Sequence, residues 1–280
     1  MKTIEKNMRT ISIAISMLFL LPSANAQFLK KLSNRVQQTV ENVIIEKTAD
    51  KAGEKTSNSM DKVLNMNLPG MGQKPVDASE IPDSYDFTWK YSLKMNTKEG
   101  DLVLDYFLKP DQPYFGFNTP TLEDMFMVMD TGKKMTVIYM KSEGNSTMMA
   151  MAMPDDLNVE EMEDTSGDFT YEILPNKTVM GYDCKGVRAT NDRHDMTMYF
   201  TNEAPVSFND IYKSDKAQIP EGLKKYFKEG ENTLMLELTM IDKKKSKLNA
   251  TMECIGLEEV QKIIDKSEYN SIGNPAIGGD

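Results

Sequence analysis

The feature that most constrains this chain is a set of three closely spaced methionine-rich stretches, residues 125–129 (MFMVM), 135–140 and 148–153. Methionine occupies every second residue in the first stretch and in 149–153 of the third, and both ends of the second. Side chains alternate between the two faces of a β-strand, so each stretch predicts a strand whose methionines lie largely on one face. Residues 130–133 (DTGK) and 142–145 (SEGN) have the composition of turns between strands. The stretches therefore predict a β-meander with one face rich in thioethers.

Three roles are open to this methionine face: an ordinary core, a surface for an apolar ligand, or a soft-metal site. Methionine is unbranched and polarisable, so it packs around irregular apolar partners. Thioethers also bind Cu(I), and residues i and i+2 with a neighbour across the strand pair would bring three sulfurs together. Since histidine or cysteine usually assists such metal sites, the ligand surface ranks above copper. The candidate apolar-ligand face comprises Met125, Met127, Met129, Met135, Met149, Met151 and Met153.

The N terminus has the pattern of a cleavable export signal. Lys2, Lys6 and Arg9 precede an apolar run at 11–21, and small residues at 24–26 predict cleavage before Gln27. The run is too short to span a bilayer, and no second candidate span follows it. No cysteine lies near the cleavage point, so no lipid anchor is predicted there. We expect a periplasmic or secreted protein without a transmembrane span in the mature chain.

The charge of the chain limits its partners. The formal net charge is −10, and it falls to about −12 once the leader, with its three cations and one acid, is removed. An acidic excess of this size argues against binding to nucleic acid. It also argues against simple electrostatic docking on anionic lipid.

Two cysteines, Cys184 and Cys254, follow the predicted cleavage point. An even number of cysteines in an oxidising compartment predicts a disulfide, which would stabilise the fold by about 4 kcal/mol on the chain-entropy model. The alternative is a pair of buried, unpaired thiols on separate strands, because spacing alone does not place two cysteines within bonding distance.

Composition divides the chain into five segments. A signal peptide covers 1–26, and a helical extension covers 27–66, where Leu29, Leu32, Val36, Val40 and Val43 in residues 28–47 recur at helical spacing. A linker covers 67–84, a β-domain covers 85–267, and a tail at 268–280 is predicted to be disordered. The 28–47 helix either packs on the β-domain, binds an envelope protein or lies on a membrane.

The β-domain alternates apolar and polar residues over many short segments. Strands are predicted at 85–95, 102–108, 114–117, 169–174, 182–190, 196–200, 206–212, 234–241 and 248–255, with helices at 220–228 and 257–266. Short turns and few intervening helices predict an antiparallel sheet. The expected fold is mainly β with flanking helices: a curved antiparallel sheet or open β-barrel, plus the N-terminal amphipathic helix.

Residues for catalysis or metal binding are scarce. His194 is the single histidine and falls in NDRHD, which is typical of a solvated hairpin turn. No glycine-rich phosphate loop and no CxxC motif occurs, and the paired acids at 155–156 and 160–161 lie in a highly charged loop. We therefore predict neither enzymatic activity nor a cofactor nor a dedicated metal site.

The segments NKTVMGYDCKG (176–186) and MYFTNE (198–203), with the methionine hairpins, resemble the exported Gram-negative proteins of domain-of-unknown-function family 4412. The resemblance covers roughly residues 86–254, and Val187 stands where a tyrosine is common in that pattern. It implies an exported β-domain without an established activity. A fold-level analogy to lipoprotein-carrier (LolA-like) proteins implies an open barrel that holds acyl chains under a helical lid.

Together these features predict an exported, non-catalytic protein that binds an apolar partner: a lipid, a lipopeptide or a hydrophobic protein segment. A methionine-rich Cu(I)-binding periplasmic protein is the first alternative. A structural or adaptor protein of the cell envelope is the second.

Overall fold

The computed structural model describes residues 74–98, 100–120, 124–142, 145–153, 169–208 and 232–271. Within these ranges thirteen strands form one sheet in the order β1-β7-β6-β5-β4-β3-β2-β12-β11-β10-β9-β8, and β13 pairs with β7. The strands are β1 (Pro75–Val76), β2 (Ser84–Thr97), β3 (Gly100–Leu108), β4 (Tyr114–Asn118), β5 (Met125–Asp130), β6 (Met135–Ser142), β7 (Asn145–Ala152), β8 (Thr170–Val179), β9 (Tyr182–Thr190), β10 (His194–Thr201), β11 (Leu234–Asp242), β12 (Ala250–Asp265) and β13 (Asn270–Ser271).

Two meanders make up this sheet. Strands β2 to β7 are neighbours in chain order, and so are β8 to β12. The two longest strands, β2 with 14 residues and β12 with 16, pair with each other and join the meanders. All pairs are antiparallel except β13 with β7, so the predicted curved antiparallel sheet is confirmed. Its order begins at β1 and ends at β8, and the sheet is not closed.

The helix predicted at 257–266 is wrong, because these residues continue β12. Leu257 pairs with Tyr91 and Ile264 with Tyr85 of β2. The register shifts between Glu259 and Lys262, and such a bulge changes the alternation of buried positions. Apolar residues therefore recur at intervals of three and four residues along this strand, which is the spacing expected for a helix. The ladder with β2 outweighs the helix propensity of this segment.

Only short 3-10 helices, Ala78–Glu80, Ser246–Leu248 and Lys266–Glu268, occur in the described ranges. Among these residues, no helix has the length and apolar character needed to cross a membrane. The helices predicted at 28–47 and 220–228 lie outside the described residues. The flanking helices of the predicted fold therefore stay a prediction.

The boundaries of the sheet differ from the predicted segments at three places. Strand β1 lies inside the predicted 67–84 linker and pairs with β7. A 3-10 helix and β13 occupy the start of the predicted disordered tail, so residues 268–271 are ordered. The strand predicted at 206–212 is wrong in its described part, because residues 206–208 are not in a strand.

The two faces of the sheet carry separate hydrophobic clusters. We call the side that bears Tyr91, Met95 and Met127 the front face, and the side that bears Phe107 and Val128 the back face. The back face of β3–β7 is covered by the beginning of β2 and by the end of β12 with the residues after it. These covering residues are Ile81, Tyr85, Phe87, Ile264 and Tyr269.

Candidate functional site

The strand register places a continuous apolar row across seven strands of the front face. Direct cross-strand pairs link, in order, Leu257, Tyr91, Tyr106, Phe117, Met127, Ile138 and Met149, from β12 through β2 to β7. Directly opposed residues in an antiparallel pair project to the same side of the sheet. One row of side chains therefore crosses the whole first meander without a charged residue.

A second apolar row crosses the other half of the sheet. It links Leu102, Met95, Met252, Leu238, Met198, Val187 and Ile173, from β3 through β2 and β12 to β8. Tyr91 and Met95 lie four residues apart on β2, so the two rows share a face. Together they make the front face apolar over eleven strands.

Six of the seven methionines predicted for the ligand face lie on the front face. Met127 and Met129 oppose Phe117 and Phe115, and Met149 and Met151 oppose Ile138 and Thr136. Met125 lies two residues before Met127 on β5 and therefore projects to the same face, and Met153 packs in the front cluster. The six range from fully buried to 9% exposed. The alternation in the sequence thus predicted this part of the face.

Met135 is the exception, and its assignment to this face was wrong. It opposes Asp130 across the β5–β6 hairpin and packs in the back cluster. Four residues, 131–134, separate the paired positions, so an odd-numbered residue of β5 faces an even-numbered residue of β6. Odd-numbered residues therefore lie on the front face in β5 but on the back face in β6, and numbering alone assigns Met135 to the wrong face.

Several front-face methionines were missed. Met140 opposes Met125, Met95 opposes Met252, and Met196 opposes Met240. The alternation of Met196 and Met198 within a predicted strand was a usable signal. Met95 and Met252 are isolated in sequence, and only the pairing of β2 with β12 brings them together. The thioether surface is consequently wider than the three methionine runs.

The described chain covers the middle of the front face with the segment that follows β10. Ala204, Val206 and Phe208 pack in or against the front cluster. The ring centroid of Phe208 lies 6.0 Å from that of Tyr91, 5.4 Å from Tyr106 and 5.8 Å from Phe115. Phe208 therefore packs on the central rings of the front face. On the same face, the side chains of six further residues are buried: Met125, Met127, Ile138, Met140, Met149 and Met151.

The buried hydroxyl at the centre of the face is satisfied within the protein. Tyr91 donates a hydrogen bond to the backbone oxygen of Met235. Burial, with smaller effects from Cys254 and Tyr106, raises the pKa of Tyr91 well above its ordinary value. The phenol is therefore neutral, and it adds no charge to the apolar face.

The two cysteines lie in the front cluster as free, buried thiols, so the predicted disulfide is not present. Cys184 is on β9 and Cys254 is on β12, with β10 and β11 between them. A bridge needs Cα atoms within about 7 Å, and β9 and β12 are not neighbours in the sheet. Burial raises the pKa of Cys254 to about 11 and also raises that of Cys184, so both stay protonated.

His194 was expected in a solvated turn, and this expectation was wrong. It is the first residue of β10, it is buried, and its Nε2 atom lies 3.8 Å from Oδ2 of Asp242. The turn proper is 191–193. Among the described residues, no group of three His, Cys, Asp or Glu side chains is placed to hold a metal ion. The acidic loop at 154–167 lies outside the described residues.

Solved structures with a detectable likeness have low identity and low structural agreement. A LolA-superfamily protein from Nitrosomonas europaea is 8% identical, with coverage of 64% of this chain and 87% of that chain and a TM-score of 0.23. An uncharacterized conserved protein from Thermus thermophilus is 9% identical, with coverage of 73% and 88% and a TM-score of 0.34. MucB, in complex with MucA(peri), is 8% identical, with coverage of 62% and 50% and a TM-score of 0.35.

The match to PNGF-II spans 30% of that chain and 66% of this one, at 8% identity and a TM-score of 0.33. These scores are too low to support an argument about function. No curated protein sequence is detectably similar to this chain. A family model does match residues 87–253, more than half of the chain, and this confirms the family that the sequence motifs resemble. The chain belongs to the family described as Domain of unknown function (DUF4412).

Proposed function

We propose that this chain is a non-catalytic binding protein that holds an apolar ligand on the front face of its sheet. The observation that carries the proposal is the pair of seven-residue apolar rows, which run without a charged residue across β2 to β12. A lipid, a lipopeptide or a hydrophobic protein segment has the chemistry that matches this surface.

The side chains of the face support a ligand role over a fixed core. Methionine adapts its three rotatable bonds to irregular partners, at a small cost in packing specificity. The front side of β5 and β7 carries five methionines, Met125, Met127, Met129, Met149 and Met151, whereas the back side of the same strands carries Phe126, Val128, Ala150 and one methionine, Met148. A sheet with one adaptable and one shape-specific side fits a protein that repacks around a guest.

The proposal includes export, because the basic and apolar leader with small residues before Gln27 is typical of a secretory signal. A periplasmic or secreted protein meets lipids and lipopeptides in transit. Binding of an envelope protein through the 28–47 helix stays a prediction of the sequence.

Two adjacent methionines of β7 offer a matched test. Met149 is on the front face and is 4% exposed, and Met148 is on the back face and is 3% exposed. A buried glutamine at either position should cost about 1–3 kcal/mol of folding free energy, because its amide lacks partners. We expect Met149→Gln to weaken binding of a fluorescent apolar probe about tenfold, whereas Met148→Gln leaves probe affinity within twofold.

Native mass spectrometry of the protein purified from the cell envelope complements this pair. Copurified lipid or lipopeptide on the wild type, lost in Met149→Gln and kept in Met148→Gln, supports the proposal. A protein that is always ligand-free, with equal probe affinity in both variants, identifies the front face as a plain core.

Copper binding is the second candidate, and one specific observation favours it. Met125 and Met127 are alternate residues of β5, and Met140 lies directly opposite Met125. This is the three-sulfur arrangement that a Cu(I) site on a strand pair requires. Met125→Leu, Met127→Leu and Met140→Leu would remove the thioethers at nearly constant volume.

We expect Cu(I) titration to give the same affinity for wild type and for this triple variant, because neither histidine nor a described acid cluster assists the sulfurs. Changing Met125, Met127, Met129, Met149, Met151 and Met153 together to leucine should likewise leave a folded protein with unaltered Cu(I) affinity. A large loss of Cu(I) binding in either variant would place copper above the apolar ligand.

A further inference from the structure

Three turns meet at one end of the sheet and form a group of cations. The turns are 97–100, 191–193 and 243–249, and we call their cations, Lys98, Arg193, Lys243, Lys244, Lys245 and Lys247, the basic tip. Nζ of Lys98 donates to Oγ of Ser246 at 2.9 Å. Nζ of Lys243 donates to the backbone oxygen of Asn191 at 2.6 Å. The three turns are thus held together by direct hydrogen bonds.

A buried carboxylate fixes the shape of the basic tip. Oδ1 of Asp242 accepts the backbone N–H groups of Lys244 and Lys245 at 2.9 and 2.7 Å. Its Oδ2 accepts from Nε of Arg193 at 3.3 Å. Burial raises the pKa of Asp242, but the hydrogen bonds from Lys245, Lys244 and Arg193 outweigh it and hold the pKa below the ordinary value. Asp242 is therefore ionised and orders the turn from inside.

The cations of the basic tip outnumber the carboxylates beside them. Asp242 is buried against Arg193, and Asp192 is exposed. Among the described residues of the basic tip, six cations therefore stand against two carboxylates. Two further acids nearby are already paired, Asp101 with Lys94 at 3.6 Å and Asp195 with Arg188 at 2.6 Å.

An exposed apolar side chain adjoins these cations. Ile241 is 43% exposed and lies two residues before Lys243 on β11. Lysines next to an exposed aliphatic residue are typical of surfaces that bind anionic bilayers, where each lysine contributes on the order of a fivefold gain in affinity. An acidic protein would match the lysines but leaves Ile241 without a role.

We propose that the basic tip docks this protein on an anionic lipid surface. The net charge of −10 argues against electrostatic docking of the chain as a whole. Charges more than about 8–10 Å from the bilayer are screened at physiological salt, so the local excess at the basic tip decides the contact. The same end of the sheet carries Met196 opposite Met240, so docking places an end of the apolar front face at the bilayer.

The test compares two triple charge reversals of equal net change. Lys244→Glu, Lys245→Glu and Lys247→Glu alter the basic tip at exposed side chains. Lys74→Glu, Lys133→Glu and Lys134→Glu are the control, because these exposed lysines lie at the opposite end of the sheet beside β1 and the β5–β6 turn. The full chain is purified in the form that cells accumulate and is sedimented with phosphatidylethanolamine–phosphatidylglycerol vesicles or neutral phosphatidylcholine vesicles.

We expect the wild type to bind the anionic vesicles in 50 mM salt and to dissociate in 500 mM salt. The basic-tip variant should lose on the order of 100-fold in affinity, while the control stays within about threefold. Circular dichroism and the melting temperature confirm that both variants are folded. Absent binding by the wild type, or equal losses in the two variants, would overturn the proposal. Affinity for soluble polyglutamate that exceeds the affinity for anionic vesicles at equal charge concentration would also overturn it, in favour of an acidic protein partner.

Discussion

The two faces of strands β5 to β7 are packed in opposite ways. On the back face, the rings of Phe87, Phe107 and Phe126 interlock edge to face, with centroids 5.3–6.2 Å apart. On the front face of the same strands, flexible thioethers fill the space. Rings held edge to face specify one geometry, whereas methionines accept several. Over β5 to β7, the comparison indicates that shape is fixed on the back face and left adaptable on the front face.

Polar groups strengthen this contrast. On the back face the hydroxyl of Tyr85 donates to Oδ2 of the buried Asp130 at 3.0 Å. Nζ of Lys262 lies 4.6 Å from the ring centroid of Phe126 and 5.0 Å from that of Phe107. Burial, followed by the nearby Lys141, lowers the pKa of Lys262. Each of these groups fits one arrangement of its neighbours, so small changes on the back face should have large effects.

The largest effect is expected at Gly116, on the back side of β4. A Cβ atom there would lie 2.4 Å from the ring of Phe126 and 3.0 Å from that of Phe87, and neither interlocked ring has room to move. Gly116→Ala should destabilise the fold by about 3 kcal/mol in urea unfolding, since overpacking forces rings and backbone apart.

Gly256→Ala is the control for this substitution. The nearest atom to its Cβ would be the flexible end of Glu258, at 3.3 Å, and Ser92 would lie at an ordinary contact distance of 3.6 Å, so the cost should stay below about 1 kcal/mol. Equal losses at Gly116 and Gly256 would show that the back face is not tightly specified.

The next largest effect is expected at Tyr85. Tyr85→Phe removes the hydroxyl that donates a hydrogen bond to the buried carboxylate of Asp130. The backbone N–H of Lys133, which donates to Oδ1 of Asp130 at 2.8 Å, keeps its hydrogen bond. Loss of the Tyr85 hydrogen bond should cost about 2 kcal/mol of unfolding free energy at pH 7. Asp130→Asn in the Tyr85→Phe background should then cost less than in the wild type, and an additive double-mutant cycle would contradict the coupling.

A smaller, pH-dependent effect is expected at Tyr139, whose buried hydroxyl has no partner in the described structure. Burial, followed by Tyr269, raises the pKa of this phenol above its ordinary value. The contribution of Tyr139 to the free energy of unfolding is fully present below the unfolded-state pKa of about 10. It is lost as the pH rises towards the pKa of the phenol in the folded protein. By pH 11 the total loss amounts to about 1.4 kcal/mol.

Tyr139→Phe lacks that ionisation, so it should match the wild type within about 0.5 kcal/mol at pH 7 and exceed it at pH 11. Urea unfolding at both pH values provides the measurement. A variant that is much weaker at pH 7 would mean that the hydroxyl has a partner after all.

The smallest effect is expected on the front face. Met127→Leu nearly conserves volume among adaptable neighbours, and it should change the unfolding free energy by less than about 1 kcal/mol. Phe126→Leu, one residue earlier on β5 and on the back face, should cost at least twice as much because it breaks two ring contacts. Equal costs for these neighbours would remove the distinction between the faces.

The sequence predicted the local part of this fold and missed the part set by pairing over long distances. Alternation in residues 125–129 and 148–153 identified strands and one face, because period two is a property of the strand itself. Met135 was assigned to the wrong side because register depends on the turn. Residues 257–266 were assigned to a helix because bulges against β2 shift the burial pattern.

In the candidate site, too, local patterns were predictable from the sequence and long-range contacts were not. Six of its methionines were visible as runs, whereas Met95 and Met252 come together only through the β2–β12 pair. The buried position of His194 depends on Asp242, 48 residues later, and no local pattern contains that contact. The strand positions of Cys184 and Cys254 were likewise set by the sheet order, which spacing in the sequence does not contain.

The junction of the two meanders has a consequence for the order of folding. Most neighbouring strands within each meander are joined by short turns, and hairpins of this kind form within microseconds. The β2–β12 ladder instead pairs Thr97 with Ala250 and Ser84 with Asp265, so it must close a loop of more than 150 residues. Contacts at such separation slow folding, and until they form both meanders expose an unpaired edge. The time to form this one ladder therefore sets how long the newly made chain is open to aggregation.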